Sequence, residues 1–222
     1  LDSFEGSFKS ILLPENGGVS KARNSGINAT DSEWVAFLDS DDIWHKEKLE
    51  KQISAAFERP DHFLHFTDEI WIRNGLRINP KRRHQKLEGW IFQPSLELCI
   101  MAPSTVMLKR ELLEKCGLFD ENLQVCEDYD LWLRITAHHQ VALLNEALMT
   151  RHGGHADQLS RKYWGMDRFR VQSLKKILAN VSLHKEDEIA ARRVMRKKCK
   201  ILLKGFRRRN KLNEVRYYES LL

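Results

Sequence analysis

The chain has 222 residues, 42% of them hydrophobic, and a formal net charge of +6. This predicts one globular domain, or one domain with an extension. No apolar run approaches the ~20 residues that cross a bilayer, and no signal-peptide pattern opens the chain. The four cysteines are scattered without a Cys-x-x-Cys pair, which argues against a zinc site and against disulfides and favours a cytoplasmic protein.

The charge is unevenly distributed along the chain. Residues 171–222 hold 15 Lys or Arg and 5 Asp or Glu, a surplus of ten, so that residues 1–170 carry a net charge of −4. Two interpretations stay open for the basic segment. It is either a solvated surface or a surface that meets the phosphates of nucleic acid or of anionic lipid.

The first predicted elements are a strand over residues 8–13 and a helix over residues 19–29, with Ser20 as its N-cap. Lys21 and Arg23 fall in the first turns of this helix. The helix dipole disfavours cations at that end. The helix start therefore either faces an anion or belongs to an ordinary surface helix with two cations.

A short apolar strand over residues 33–38 ends abruptly in Asp39, Asp41 and Asp42. In open α/β sheets, ligands bind at the carboxyl ends of strands, and two acids that lie two residues apart can turn toward one ligand. Clustered carboxylates repel each other, and a hard cation with oxygen ligands offsets that repulsion. The pattern predicts a metal site. An acidic turn that caps the next helix is the alternative.

The middle of the chain predicts a mixture of helices and strands. We expect an amphipathic helix over residues 44–57, strand structure over 62–72 with a hairpin turn at 73–75, and a strand over 106–108 with a helix after it. Residues 79–86 form a charged loop. Loops of this kind over a strand edge often select substrates.

A second group of acids opens a predicted helix with Glu127, Asp128 and Asp130. Acids at a helix start interact favourably with the dipole, so that a well-capped helix without chemistry is one interpretation. Three acids in four residues exceed what capping needs, however, and like charges so close together raise the pKa of one of them. A cleft carboxylate with a raised pKa is suited to act as a general base.

The last part of the chain is predicted to begin with a short strand over residues 141–144. His152 and His155 follow it beside two glycines; such a pair can reach a metal or a phosphate, with exposed loop histidines as the alternative. From residue 166 onward the pattern is helical almost throughout, with apolar stripes over 171–178 and 201–206.

The ordered set of motifs resembles the family-2 glycosyltransferases with a GT-A fold. The likeness runs from residue 9 to residue 160 and rests on Gly18–Gly26, Phe37–Trp44, Pro103–Ser104, Gly117–Glu121 and Glu127–Arg134. The resemblance implies an α/β fold, in which a Rossmann-like mixed sheet flanked by helices forms a catalytic domain over residues 1–160. A helical, basic C-terminal extension would follow over residues 161–222.

The resemblance also implies a function, namely inverting, metal-dependent transfer of a sugar from a nucleotide-diphosphate donor to an acceptor hydroxyl. Asp39 and Asp41 would belong to the motif that holds the donor and an Mg²⁺ or Mn²⁺ ion. Asp128 would be the base that takes the proton from the acceptor, with Glu127 beside it. The other implied site residues are Lys21, Arg23 and Asn24 on the donor side, and His152 or His155 as a further metal ligand.

One part of the family pattern is missing from this sequence. Family members begin with two strands that carry a Pro-x-Tyr-Asn-like and an Asp-Asp-Gly-Ser-like motif, and neither motif occurs here. We therefore expect an N-terminally truncated chain that binds the donor poorly by itself. A catalytically inactive GT-A-like binding module is the alternative function.

The implied partners are the nucleotide-sugar donor and a saccharide or lipid-linked acceptor. We expect the basic extension to pack on the catalytic body and to turn a basic face toward an anionic membrane, as in a peripheral protein on the inner, cytoplasmic membrane face. A nucleic acid is not an expected partner, because the basic segment has neither interleaved aromatic residues nor a known reading motif.

Overall fold

The computed structural model describes residues 8–79, 81–154 and 163–222, except for the side chain of Arg83. The strands in this part of the chain are β1 (Trp34–Ala36), β2 (Asp42–Trp44), β3 (Leu64–Arg73), β4 (Leu76–Ile78), β5 (Val106–Lys109) and β6 (Ala142–Gly153). The α-helices are α1 (Gly18–Asn28), α2 (Lys48–Glu58), α3 (Phe92–Ser95), α4 (Arg110–Cys116), α5 (Glu127–Thr136), α6 (Asp167–Asn180), α7 (Lys185–Arg208) and α8 (Leu212–Glu219). Short 3₁₀ helices cover Arg82–His84 and Pro103–Thr105.

The strands form one mixed sheet in the order β1-β5-β3-β6-β2, with β4 hydrogen-bonded to β3. The long strands β3 and β6 run parallel to each other, and the remaining pairs are antiparallel. The predicted hairpin turn lies between β3 and β4, where Arg73 pairs with Leu76. The sheet is therefore mixed, as predicted.

Several predicted element boundaries are wrong. Residues 8–13 form no strand, because no described strand lies beside them and Leu12 is almost fully exposed. Helix α1 begins at Gly18 with Gly17 as its N-cap, so Ser20 does not cap it. Helix α2 begins at Lys48 and not near Trp44, because Trp44 pairs with Met149 in the sheet.

Strand β6 is much longer than the predicted strand over residues 141–144. It continues to Gly153, because its pairing with β3 extends as far as Arg73. His152 is thus a strand residue paired with Ile72, and not part of a glycine-flanked loop.

Helix α5 joins two hydrophobic clusters of the described residues. Leu131 and Trp132 pack with the sheet strands β3 and β5, whereas Tyr129 and Leu133 pack with helices α6, α7 and α8. The C-terminal helices therefore cover the body as predicted, with Leu174 fully buried. A domain boundary at residue 160 stays a prediction.

No helix in the described part of the chain has both the length and the apolar character that a bilayer span requires.

Candidate active site

A cleft of about 870 Å³ lies where the loop after β1, the strands β3 and β6 and the start of α5 meet. Five of the predicted site residues line it, namely Arg23, Asp39, Asp41, Glu127 and Asp128. The two acidic motifs are far apart in the sequence. The fold brings them to one site.

The first acidic motif is a tight turn between β1 and β2. The N–H of Asp42 donates to the carbonyl oxygen of Asp39 at 3.0 Å, which closes the turn. The N–H of Asp39 donates to Oγ of Ser104 at 3.0 Å, and the indole N–H of Trp44 donates to the carbonyl oxygen of Ser104 at 2.7 Å. Ser104 thereby fixes the turn from both sides. The turn does not cap α2, whose N-cap is Glu47.

Arg23 on α1 lies between the two acidic motifs. Its Nη2 donates to Oδ1 of Asp39 at 2.5 Å, and its Nη1 donates to Oε1 of Glu127 at 2.7 Å. The side chains of Arg23 and Glu127 are only 10% and 9% exposed. Burial lowers the pKa of Arg23, but the two carboxylates outweigh it and the pKa is raised overall. Arg23 therefore stays charged and joins the cleft walls.

The second acidic motif is the first turn of α5, which follows Cys126 in a left-handed conformation with φ 63°. Oδ1 of Asp128 accepts the N–H of Tyr129 at 2.7 Å, and Oδ2 accepts the thiol of Cys99 at 3.3 Å. Burial, together with the charge of Asp128, raises the pKa of the Cys99 thiol well above its ordinary value. The protonated thiol thus orients the Asp128 carboxylate.

The predicted raised pKa in this motif falls on Glu127. Burial is its largest cause, followed by the neighbouring charge of Asp128, and Arg23 acts against both. The result is a pKa of about 7 for Glu127. A buried carboxyl group that titrates near neutrality lies directly beside Asp128.

Two predicted donor-side residues do not line the cleft. The buried Asn24 holds the backbone of Phe119: its Nδ2 donates to the carbonyl oxygen of Phe119 at 2.9 Å, and its Oδ1 accepts the N–H of Phe119 at 3.1 Å. Nζ of Lys21 lies 3.7 Å from Oε1 of Glu15, with which it forms a salt bridge. In the structure, Asn24 fixes α1 to the segment after α4.

One of the two predicted histidine ligands, His152, also does not line the cleft. His152 lies on β6 but is not among the residues that line the cleft, and His155 lies outside the described residues. Within the described ranges, no three His, Cys, Asp or Glu side chains are arranged to hold a metal ion by themselves.

The wall of the cleft formed by β3 and β6 contains residues that sequence reasoning missed. Glu69 on β3 is only 6% exposed, and its Oε1 accepts from Nζ of Lys86 at 2.6 Å. Lys86 also donates to the carbonyl oxygen of Ile100 at 2.8 Å. Burial raises the pKa of Glu69, but Lys86 and Arg151 outweigh it and lower the pKa overall. A charged residue within an otherwise buried strand was the available sequence signal.

Arg151 on β6 completes this wall. It pairs across the sheet with Asp42 on one side and Trp71 on the other, and its guanidinium carbon lies 5.8 Å from the Trp71 ring centre. Burial lowers the pKa of Arg151, but Glu69, Asp42 and Asp128 together raise it. Successive strand residues point to opposite faces, which explains why Arg151 lines the cleft and the adjacent His152 does not.

Comparison with known proteins identifies relatives over much of this structure. The model of the family described as Glycosyl transferase family 2 matches residues 1–117, which is just over half of the 222 residues. A curated relative is the Escherichia coli UDP-Glc:alpha-D-GlcNAc-diphosphoundecaprenol beta-1,3-glucosyltransferase WfgD, 34% identical over 128 residues, or 58% of this chain and 48% of that protein. The chain spans half the length or less of the first curated relatives that it matches.

Solved structures share the fold. S. aureus TarS 1–349 in complex with UDP-GlcNAc matches with a TM-score of 0.59 and 22% identity, over 86% of this chain and 53% of that chain. The Pyrobaculum calidifontis mannosyltransferase PcManGT in complex with GDP-Man and Mn²⁺ matches with a TM-score of 0.52 and 14% identity, over 87% of this chain and 55% of that one. These matches confirm the predicted GT-A fold.

Proposed function

The chain belongs to glycosyl transferase family 2, and we propose that it transfers a sugar from a nucleotide-diphosphate donor to an acceptor hydroxyl, with inversion at the anomeric carbon. One observation carries the proposal. Arg23 joins Asp39 and Glu127, so that the two acidic motifs form one cleft and Asp128 lies beside them. General bases and metal-ligating carboxylates must meet around a single reacting centre.

In this mechanism Asp128 is the base. It takes the proton of the acceptor hydroxyl while the hydroxyl oxygen forms a bond to the anomeric carbon. The bond from that carbon to the diphosphate oxygen breaks, and the nucleoside diphosphate leaves with the electron pair. The N–H of Tyr129 and the thiol of Cys99 hold the carboxylate in position. Asp128 lies in the first turn of α5, where the helix dipole interacts favourably with a carboxylate.

Asp39 and Asp41 would hold a divalent cation. Asp41 is exposed to the cleft and forms no salt bridge with another described residue. Burial is the main cause that raises the pKa of Asp42 to about 6; Ser104 and Arg151 act against it, and Asp41 and Asp39 add smaller increases. Mg²⁺ characteristically binds one or two carboxylates together with substrate phosphates. The bound cation would neutralise charge that develops on the leaving diphosphate.

The relatives support particular substrate classes. The Mn²⁺ and GDP-Man in the PcManGT structure support the same kind of cation and donor. The name of WfgD describes a diphosphoundecaprenol-linked acceptor and a UDP-linked glucose. We therefore propose a lipid-linked saccharide as the acceptor. The wall formed by Glu69, Trp71 and Arg151 adjoins the acidic turn, because Arg151 pairs with Asp42, and it would contact the acceptor.

The test measures donor binding first and turnover second. The chain is titrated calorimetrically with UDP and GDP in the presence of Mn²⁺, and release of nucleoside diphosphate is then followed with UDP-glucose, UDP-GlcNAc and GDP-mannose. We expect Asp128→Asn to bind like the wild-type chain and to release at least about a hundredfold less product, which is the usual range for loss of a general base. Cys116→Ser, a thiol outside the cleft, is the control.

The other outcomes are equally informative. Release by Asp128→Asn at the wild-type rate overturns Asp128 as the base. Binding without release by the wild-type chain supports the inactive binding module instead. Failure to bind any nucleotide overturns transfer by this chain alone.

A further inference from the structure

The outward face of α7 carries a stripe of cations. Arg193, Arg196, Lys200, Lys204 and Arg208 are all exposed and follow one another at spacings of three and four residues. Side chains at these spacings share one side of a helix. With a rise of 1.5 Å per residue, this basic stripe is about 22 Å long. The buried side of α7, which includes Leu202 and Phe206, faces the C-terminal core.

The charge of the basic stripe is not balanced by the acids that the structure describes. None of its five cations forms a salt bridge with another residue in the described part of the chain. The sequence has no Asp or Glu from residue 189 to residue 213. The neighbouring Lys197 and Arg207, by contrast, are paired with Glu97 and Glu219. A solvated helix face usually mixes both signs of charge, whereas this one has a single sign.

Exposed apolar side chains lie beside the basic stripe. Ile189 and Ile201 lie on or beside the outward face of α7 and are 58% and 55% exposed. A helix face that combines Lys and Arg with large apolar residues is typical of helices that lie on a bilayer surface. Nucleic-acid surfaces instead interleave cations with aromatic residues that stack on bases, and the stripe contains no aromatic residue.

The position of α7 relates this surface to the cleft. Nζ of Lys198, on the inner side of α7, donates to the carbonyl oxygen of Glu97 at 2.8 Å, and Lys197 forms a salt bridge to the Glu97 carboxylate at 2.7 Å. The residues that follow Glu97, from Leu98 to Ala102, line the cleft. Helix α7 is thus braced against one wall of the cleft, with its basic stripe turned away from the protein.

We propose that the basic stripe of α7 docks this protein on the surface of an anionic lipid bilayer. The cations would lie among the lipid phosphates, and Ile189 and Ile201 would enter the boundary between headgroups and acyl chains. This docking does not depend on the proposed transfer reaction. If both proposals are correct, docking holds the cleft close to a membrane surface that carries a lipid-linked acceptor.

The experiment is sedimentation of the full chain with phosphatidylcholine vesicles, with and without phosphatidylglycerol. We expect binding only to the anionic vesicles. Replacement of Arg193, Arg196, Lys200 and Lys204 by Gln should weaken that binding at least about tenfold, since each cation near an anionic membrane contributes substantially to the free energy of binding. The matched control replaces four exposed cations away from α7, namely Lys46, Arg77, Lys81 and Lys115, with the same change in net charge. We expect it to weaken binding less than about threefold, because distant charges are screened.

Three results would overturn the proposal: equal binding to neutral vesicles, no binding to either kind, and an equal loss in the control variant. A mixed-sequence DNA duplex that removes the protein from anionic vesicles would also contradict it, and would favour a nucleic-acid surface. Circular dichroism checks that both variants fold. Should the stripe variant not fold, a salt series on the wild-type chain decides, because binding that persists at about 1 M salt is not electrostatic docking.

Discussion

At the scale of single residues, Arg23 is the side chain on which the geometry of the cleft depends. It contacts Asp39 in the acidic turn and Glu127 at the start of α5, and its guanidinium lies 5.2 Å from the Phe119 ring centre. Without it, the carboxylates of Asp39 and Glu127 would lie near each other with no cation between them. The arrangement therefore requires an arginine, whose planar group can serve two carboxylates at once.

We expect Arg23→Gln to destabilise the fold by about 3 kcal/mol, because it leaves Glu127 buried without its cation and Asp39 without its partner. Lys21→Gln is the control, since it removes a cation two residues earlier on the same helix and outside the cleft. It should change the free energy of unfolding by less than about 0.5 kcal/mol. Urea denaturation of the three proteins measures both values. Equal stability of the two variants would mean that Arg23 does not join the cleft walls.

Glu127 predicts a pH dependence of stability. Its pKa is raised from an ordinary value of 4.5 to about 7 by burial and by Asp128. The unfolded chain therefore releases this proton at lower pH than the folded chain does, and ionisation favours unfolding between these two values. At a pH below the ordinary pKa, Glu127 is protonated in both the folded and the unfolded chain, and its ionisation does not affect stability. At a pH above the raised pKa, Glu127 is ionised in both states, and the loss of stability has reached its full size.

The matched comparison is with Glu127→Gln, which has the same shape and cannot ionise. We expect the wild-type chain to lose stability relative to this variant as pH rises from about 5 to about 7, with little further change at higher pH. Urea denaturation at a series of pH values measures the difference. Parallel stability curves over this range would show that the pKa of Glu127 is not raised in the fold.

The sequence predicts which residues line the cleft best where the residue type limits the chemistry. Asp39, Asp41, Glu127 and Asp128 were all predicted from clustered acids, and the structure places them on one cleft. Asn24 came from the family motif alone, and its amide is engaged with the Phe119 backbone instead. A motif fixes which residue stands at a position but not which of its neighbours the side chain contacts.

At the scale of elements, the pairing of β3 with β6 decides what local sequence does not. Residues 145–153 have weak strand preference, yet they form strand because β3 offers a ladder of hydrogen bonds along its whole length. Tertiary pairing commonly overrides strand propensity. The same ladder places Arg151 beside Trp71, and this explains why the second wall of the cleft was not predicted.

The segment after β4 is fixed to this wall by the buried ion pair of Lys86 with Glu69. We expect Lys86→Met to destabilise the fold by about 3–5 kcal/mol, because it leaves the Glu69 carboxylate buried without its cation. The double variant Lys86→Met with Glu69→Gln should recover part of that loss. Lys81→Met, an exposed change in the same segment, should be nearly neutral. Thermal and urea unfolding test all three, and a double variant less stable than Lys86→Met would contradict this account.

At the scale of the whole molecule, α5 connects the sheet to the C-terminal helices. Its residues Leu131 and Trp132 belong to the sheet-side cluster, and Tyr129 and Leu133 belong to the cluster with α6 and α7. The apolar stripe over residues 171–178 predicted that α6 would pack on the body, because a helix with one apolar face must bury it. The sequence could not predict that α5 would be the surface it meets, since that depends on where the fold places α5.

Because α5 contributes to both clusters, the described parts of the chain should unfold together and not as a body plus an independent extension. Leu108→Ala on β5 and Leu174→Ala on α6 both remove a fully buried side chain, and each should lower stability by about 2–5 kcal/mol. Hydrogen exchange followed by mass spectrometry locates the effect. In a single cooperative unit, Leu174→Ala and Leu108→Ala each accelerate exchange of the slowest amides in β3 in proportion to their own loss of stability. In two independent units, Leu174→Ala would accelerate exchange only in α6, α7 and α8 and leave β3 protected. The first result would mean that the stability of the start of α5, which carries Asp128, depends on the packing of both clusters. Loss of packing among the C-terminal helices would then also disorder the proposed catalytic base.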